Sequence, residues 1–352
     1  MEAYKLQKRI VLSFETKRYE DGDTDYTYIM DICTNKDHSL YSLTLSTGIV
    51  RVVNANDFAT VATIQTGTAS AFCSMFVPFD ETCVVVCDQK GFIRVFNYQT
   101  GEKKIEYQMA NECYSAALLC GGKMILAGDK EHIYFYELET GRRIGMYRDI
   151  HSDVINHLVP HPLYPTVFAS GSEDGLICVF DIARGNQEDA VVSIFQTDSG
   201  IANMGWFGEK KDLIWCASMT RGLTIWNSTT GDRLANIADY YMCHCNEGRD
   251  IDYIVGCVED KSHELLAIGG DQEGNGYLLS VQHPEQVVAV WKGHQSAIRC
   301  FLQNSDSVIT CGEDASVCIW SASAAEKSGR SGGEERKRLP KTKGGRSAYQ
   351  SL

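Results

Sequence analysis

The sequence predicts an all-β fold, a ring of seven four-stranded blades forming a β-propeller, on three observations. First, one phrase recurs: a β-rich run, a polar tight turn, then a β-rich run closing on a bulky residue. It is clearest at residues 170–181, from Ser170 through Asp174-Gly175 to Phe180, and at residues 310–320, from Thr310 through Asp314-Ala315 to Trp320. Second, the phrase keeps a register. Stepping five positions on from the turn glycine or its substitute gives Val53, Phe96, Tyr136, Phe180, Trp226, Leu279 and Trp320, at intervals of 43, 40, 44, 46, 53 and 41 residues. A period of roughly 40–45 residues is that of a propeller blade and excludes helical repeats of ~33–34 residues. Third, the residues are those of strands, as in residues 82–87 and 92–96, rich in β-branched and aromatic side chains and punctuated by glycine.

Taken in chain order, residues 8–14 read as a strand ahead of the first blade. The blades then run from about residue 28 to 320. After Trp320 the seventh blade lacks a fourth strand of its own, and residues 10–14 are expected to supply it, closing the ring and covering an exposed edge. Together these make one domain, 1–323. The 53-residue interval holds an insertion before the sixth blade, residues 236–252, with Tyr240, Tyr241, Met242 and Arg249. Tyr, Met and Arg are enriched at interface cores, which makes Tyr240, Tyr241 and Arg249 candidate partner-binding residues. Residues 324–352 differ in kind. They hold eight Lys/Arg against three Glu, so the remainder of a chain with net charge −13 carries −18. Small and charged residues cannot bury enough surface to order, and a disordered basic tail is expected. Arg336, Lys337, Arg338, Lys341 and Lys343 form a cluster of the kind read by nuclear import or nucleic acid.

The repeats resemble the WD40 family from about residue 28 to 320. In the seventh unit His294, Thr310, Asp314 and Trp320 stand where that family builds a hydrogen-bonded network; the fourth keeps His151, Ser170 and Asp174 but has Phe180, which cannot donate. Elsewhere the turn acid is replaced by Lys90, Lys130 and Arg221, so these blades are expected to lean on apolar packing and to be partly missed by a motif scan. More narrowly, residues 151–154, 171–182, 188–192, 251–256 and 310–315 are similar to the WD repeat-containing protein 89 subfamily. The resemblance implies a noncatalytic scaffold or adaptor with protein or peptide partners and brings no catalytic residues.

Composition agrees. There is no run of 18 apolar residues and no apolar stretch behind the N-terminal charges, so no membrane span and no secretory signal are expected. Fourteen cysteines without a C-x-x-C pair read as reduced, small apolar fillers, and Cys243-His244-Cys245 lacks the second half of a metal site. No phosphate loop, zinc-protease or nucleophile-elbow motif occurs, and the Glu-Asp turn pairs fit turn chemistry better than paired-carboxylate catalysis. His157, His161 and His283 read as loop residues near prolines. No enzyme activity, cofactor or metal is expected, and the chain is expected in nucleus and/or cytoplasm, alone or in a complex. Binding is expected on one propeller face, which the sequence does not single out; the face lined by the repeat turns would carry Lys90, Glu131 and Arg221 as candidate contacts. Two alternatives are reception of substrates for a cullin–RING ubiquitin ligase, weakened because residues 180–184 lack the Trp of its box, and an RNA-associated factor using the tail. Importin is the partner the tail cluster suggests.

Overall fold

In a computed structural model the chain forms seven four-stranded antiparallel sheets arranged as a propeller. The structure describes residues 4–12, 17–18, 24–25, 27–67, 71–244, 251–260 and 262–322. The first blade runs Ile29–Thr34, Leu40–Leu45, Ile49–Asn54 and Thr60–Gln65, from the ring centre outward. The next five repeat that meander. The seventh consists of Ile298–Gln303, Ser307–Gly312 and Ser316–Ala322, with the N-terminal strand Tyr4–Val11 as its outer member.

Burial follows from the stacking of blades. Second and third strands are covered on both faces by neighbouring blades, so they carry near-continuous apolar runs such as Phe92–Asn97 and Leu265–Gly270. Outer strands show solvent on alternate residues, as in Lys103–Gln108. The core divides into seven clusters, one at each junction between adjacent blades, including the junction of the seventh with the first, where Ile309, Cys311 and Val317 meet Ile29, Leu43 and Leu45. Each blade is therefore stabilised mainly by its two neighbours.

Ring closure is built as the sequence predicts, with shifted bounds. The closing strand starts at Tyr4, earlier than residue 8, and pairs antiparallel with the third strand of the seventh blade from Tyr4↔Ala322 to Val11↔Ser316. Leu12 continues the contact by donating its N–H to Ala315 O at 3.1 Å. Ser13 and Phe14 lie outside the described residues, as does the tail cluster Arg336, Lys337, Arg338, Lys341 and Lys343.

The predicted register also survives, with two corrections. Gly48, Gly91, Gly175 and Gly274 take positive φ, and so do their substitutes Arg221 (64°) and Ala315 (56°). Arg221 thus stands at the glycine's position, and Thr220, not Arg221, occupies that of the acid. In the third blade the turn is one residue shorter: Gly128 pairs with Ile133, where Gly171 pairs with Ile177. Glu131 is therefore no glycine counterpart, although Tyr136 still closes the strand.

A belt of contacts around the ring centre locks blade to blade. One position on each inner strand is occupied by Asp31, Cys73, Ser115, His157, Asn203, Gly256 and Cys300, opposite Thr44, Cys87, Gly128, Gly171, Ala217, Ile268 and Cys311. Ser115 Oγ donates to Ile155 O at 2.6 Å, His157 Nε2 to Ala202 O at 2.6 Å and Asn203 Nδ2 to Val255 O at 2.7 Å, each reaching the next inner strand. Asp31 Oδ2 accepts from Ser74 N at 3.3 Å, and Cys300 Sγ lies 3.8 Å from Ile29 O. Gly256 serves by lacking a side chain, since a Cβ there would sit 2.4 Å from the Phe301 ring. His157 is thus an inner-strand residue, not a loop residue; burial depresses it below the ordinary histidine range.

Two outcomes follow. Deleting residues 1–12 leaves the edge of Ser316–Ala322 unpaired and should lower the melting midpoint by at least about 5 °C in a thermal shift assay; an unchanged midpoint rules out the closing role. Asp31 is half-buried against the central channel, and burial raises it from 3.8 to about 6 despite hydrogen bonds from the Ser74 and Ile32 N–H groups. Its folded value lies above its unfolded one, so the native state is favoured where Asp31 is protonated in both states and loses that advantage as pH rises from about 4 through 6. Asp31→Asn should therefore gain about 1–2 kcal/mol at pH 7.5, after allowance for channel water, and nothing below pH ~4. Denaturant titrations at the two pH values measure the difference.

Candidate interaction face

The repeat turns and the loops that enter each blade emerge at one end of the ring, because every blade meanders in the same sense. Their rigidity comes from buried carboxylates. In the seventh blade, Trp320 Nε1 donates to Thr310 Oγ1 at 2.8 Å, and Thr310 Oγ1 lies 2.8 Å from His294 Nε2. His294 Nδ1 faces Asp314 Oδ1 at 3.2 Å. The consistent proton order runs from indole N–H to hydroxyl, from hydroxyl to Nε2, and from Nδ1–H to carboxylate, leaving no member unpaired. Asp314 also accepts from Gln295 N, Ser316 N and Arg9 Nη2, the last from the closing strand at 3.1 Å. Burial alone would raise its pKa, but hydrogen bonds from His294 and Ser316 win and hold the carboxyl well below the ordinary range.

The fourth blade repeats the arrangement short of one donor. His151 Nδ1 lies 3.1 Å from Asp174 Oδ2 and Nε2 lies 2.7 Å from Ser170 Oγ, while Phe180 stacks on Phe168 at 4.9 Å. Burial outweighs the pull of Asp174 and lowers His151, keeping it neutral.

Degenerate blades do not rely on packing alone, contrary to the sequence reading. In the second and sixth blades an aspartate stands two residues before the expected acid position, and in the third one residue before it, each at or just past the end of the second strand. Asp88 accepts from Phe92 N and pairs with Arg94 at 2.7 Å. Asp129 accepts from Asn111, Glu131 N, His132 N and the Tyr134 hydroxyl. Asp271 accepts from Glu273 N, Asn275 and Tyr277. A search for acids only at the position of Asp174 overlooks all three.

A family model described as "WD domain, G-beta repeat" matches residues 146–181 and 285–321, the stretches that contain the His151 and His294 networks. The fourth and seventh blades of this seven-bladed β-propeller carry WD40 repeats. The chain is 24% identical over 313 residues to a WD repeat-containing protein 89 homolog of Dictyostelium discoideum, covering 85% of this chain and 84% of that protein. It is also 24% identical over 256 residues to the Arabidopsis thaliana WD repeat-containing protein GTS1, covering 66% of this chain and 65% of the relative. An uncharacterized WD repeat-containing protein of Saccharomyces cerevisiae is 25% identical over 248 residues, 65% of this chain and 61% of its own length.

Among the candidate contacts, the repeat turns leave Lys90 and Glu131 exposed. Arg221 is engaged: its guanidinium grips Asp239 at 3.1 and 3.0 Å and covers the Tyr241 ring at 5.2 Å. Tyr240 is the clear correction. It is fully buried among Ile251, Ile254 and Leu279, with its hydroxyl on Ser280 O, so it anchors the insertion to the propeller and meets no partner. The insertion is also shorter than expected, because Asn236 belongs to the strand Arg233–Ile237; the helix Tyr240–His244 follows, and Arg249 lies outside the described residues.

What remains free surrounds the channel mouth. The channel encloses 670 Å³, and a 420 Å³ cavity at its rim is lined by Tyr253, Gln272, Arg299 and Glu313. From the third to the sixth blade the face exposes Glu112, Glu131, Asp149, Glu173, Asp198 and Glu273 against Lys130, Arg148 and Lys292. Among the described residues, Glu131, His132 and Asp149 bring three ligand-type atoms within 4.8 Å of one another; Asp149 comes from the loop entering the fourth blade, so sequence spacing did not reveal the group. No described helix is long and apolar enough to cross a membrane.

The two networks make a paired prediction. Thr310→Val strands a buried indole N–H and His294 together, costing about 2–4 kcal/mol, whereas Ser170→Ala removes one partner of His151 and costs about 1–2 kcal/mol. Equal losses in urea denaturation would reject the donor order given above.

Proposed function

We propose that this WD40 propeller is a noncatalytic scaffold that docks protein partners through basic segments on the turn face, around the channel mouth. The observation that carries this reading is the excess of exposed acidic side chains on loops held rigid by saturated carboxylate networks. A preorganised face with an excess of one sign of charge speeds encounter and rejects like-charged surfaces. The same charge disfavours nucleic acid on this face. The basic cluster Arg336, Lys337, Arg338, Lys341 and Lys343 supports a nuclear address for the assembly.

Charge reversal tests the face. Glu131→Lys with Glu173→Lys and Glu273→Lys should reduce recovery of co-purified proteins at least about tenfold. The matched set Glu81→Lys, Glu102→Lys and Glu139→Lys, at exposed positions on the opposite end, should leave recovery unchanged. Equal loss from both sets, at unchanged melting midpoints, removes the face assignment. Neutralising the five tail residues should move a fluorescent fusion from nucleus to cytoplasm; retained nuclear signal excludes the cluster as the address.

A further inference from the structure

We propose that Cys73–Cys87 in the second blade and Cys300–Cys311 in the seventh are twin dithiol sites, which a hydroperoxide converts to cross-strand disulfides. Each pair occupies directly opposed positions on an inner and a second strand, at the first ladder step after the inner-strand bulge. Opposed residues of an antiparallel ladder have Cα atoms about 4.5–5.5 Å apart, within the roughly 4.4–6.8 Å that disulfides span. In both pairs the opposed thiol is the leading cause that pushes the inner-strand cysteine up, Cys87 acting on Cys73 and Cys311 on Cys300. No other blade places two thiols at this position.

Access divides the roles within each pair. Cys73 and Cys300 are partly exposed on the channel wall, while Cys87 and Cys311 are fully buried behind them. A small peroxide entering the channel meets Cys73 or Cys300 first. Its sulfur attacks the peroxide, an S–O bond forms as the O–O bond breaks, and one water leaves with a proton. The buried thiol then attacks that sulfenic sulfur; an S–S bond forms, the S–O bond breaks, and a second water leaves with the remaining proton. Two electrons pass from the thiols to the peroxide, and nothing else is consumed. The neighbouring Cys87 thiol and burial push Cys73 well above the ordinary thiol range, so the first step is slow. The second is intramolecular between cysteines on directly opposed ladder positions.

The fold supplies its own controls. Cys178 and Cys216 lie in strands whose ladder partners are Ser170, Ile194, Met204 and Thr224, and burial pushes both thiols up to about 12. They have no opposed thiol to close on.

The test treats the reduced, folded full chain with hydrogen peroxide, alkylates remaining thiols after unfolding and maps cysteine peptides by mass spectrometry. The expected result is a Cys73–Cys87 and a Cys300–Cys311 bridge, both reversed by dithiothreitol, with Cys178 and Cys216 recovered alkylated. Recovery of Cys73 and Cys300 alkylated to the same extent as Cys178, or bridged to any other cysteine, overturns the proposal. Cys87→Ser and Cys311→Ser keep a small polar group in each pocket. Each should leave its channel-side cysteine as a sulfenic acid captured by dimedone, while the bridge in the other blade still forms. Failure of both captures at an unchanged melting midpoint also overturns it.

Discussion

Closure of the ring is the constraint on which the rest of this structure depends, and Asp314 is where closure and repeat chemistry meet. A propeller blade is stable only between two neighbours, so one junction must join residues from opposite ends of the chain. Here the strand Tyr4–Val11 pairs along Ser316–Ala322, and its Arg9 reaches the same carboxylate that orients His294 and receives the turn N–H groups. One buried charge therefore ties the closing strand, the turn and the Trp320 network together. Such a charge is costly to bury unless fully paired, and Asp314 is fully paired.

The belt at the ring centre explains how blades of such uneven sequence remain in register. The hydrogen bonds of Ser115, His157 and Asn203 run to backbone carbonyls, which every residue type supplies. The receiving blade can therefore change sequence without loosening the contact. Gly256 shows the complementary device, yielding its volume to the Phe301 ring of the next blade. Identity matters on the giving side of each junction and hardly at all on the receiving side.

Blade number, strand order, the closing strand and the His294 network were legible because each leaves a local mark: a period, a missing fourth strand, four residue types at fixed spacing. The rest depends on contacts distant in sequence. Asp88, Asp129 and Asp271 cap their turns from one or two residues earlier than the motif, and only turn geometry shows that these placements also reach turn N–H groups. Tyr240 looked like an interface residue by type. Its burial depends on Leu279, 39 positions along, packing over the insertion. His157 was misread because the nearby prolines suggested a loop, whereas Pro160 sits at the end of an inner strand whose solvent-facing edge needs no ladder partner.

Acidic side chains on the turn face consequently fall into two physical classes. Asp88, Asp129, Asp174, Asp271 and Asp314 have their oxygens committed to N–H and O–H groups of their own blade, so a partner could engage them only by dismantling the turn. Glu131, Glu173 and Glu273 project from those same turns with exposed side chains. The first class fixes the backbone from which the second extends, which lowers the entropy a partner must remove on binding. Conserving fold and varying recognition then become separable tasks, assigned to residues one or two positions apart in the same turn: Asp174 holds the fourth turn rigid while Glu173 beside it faces outward.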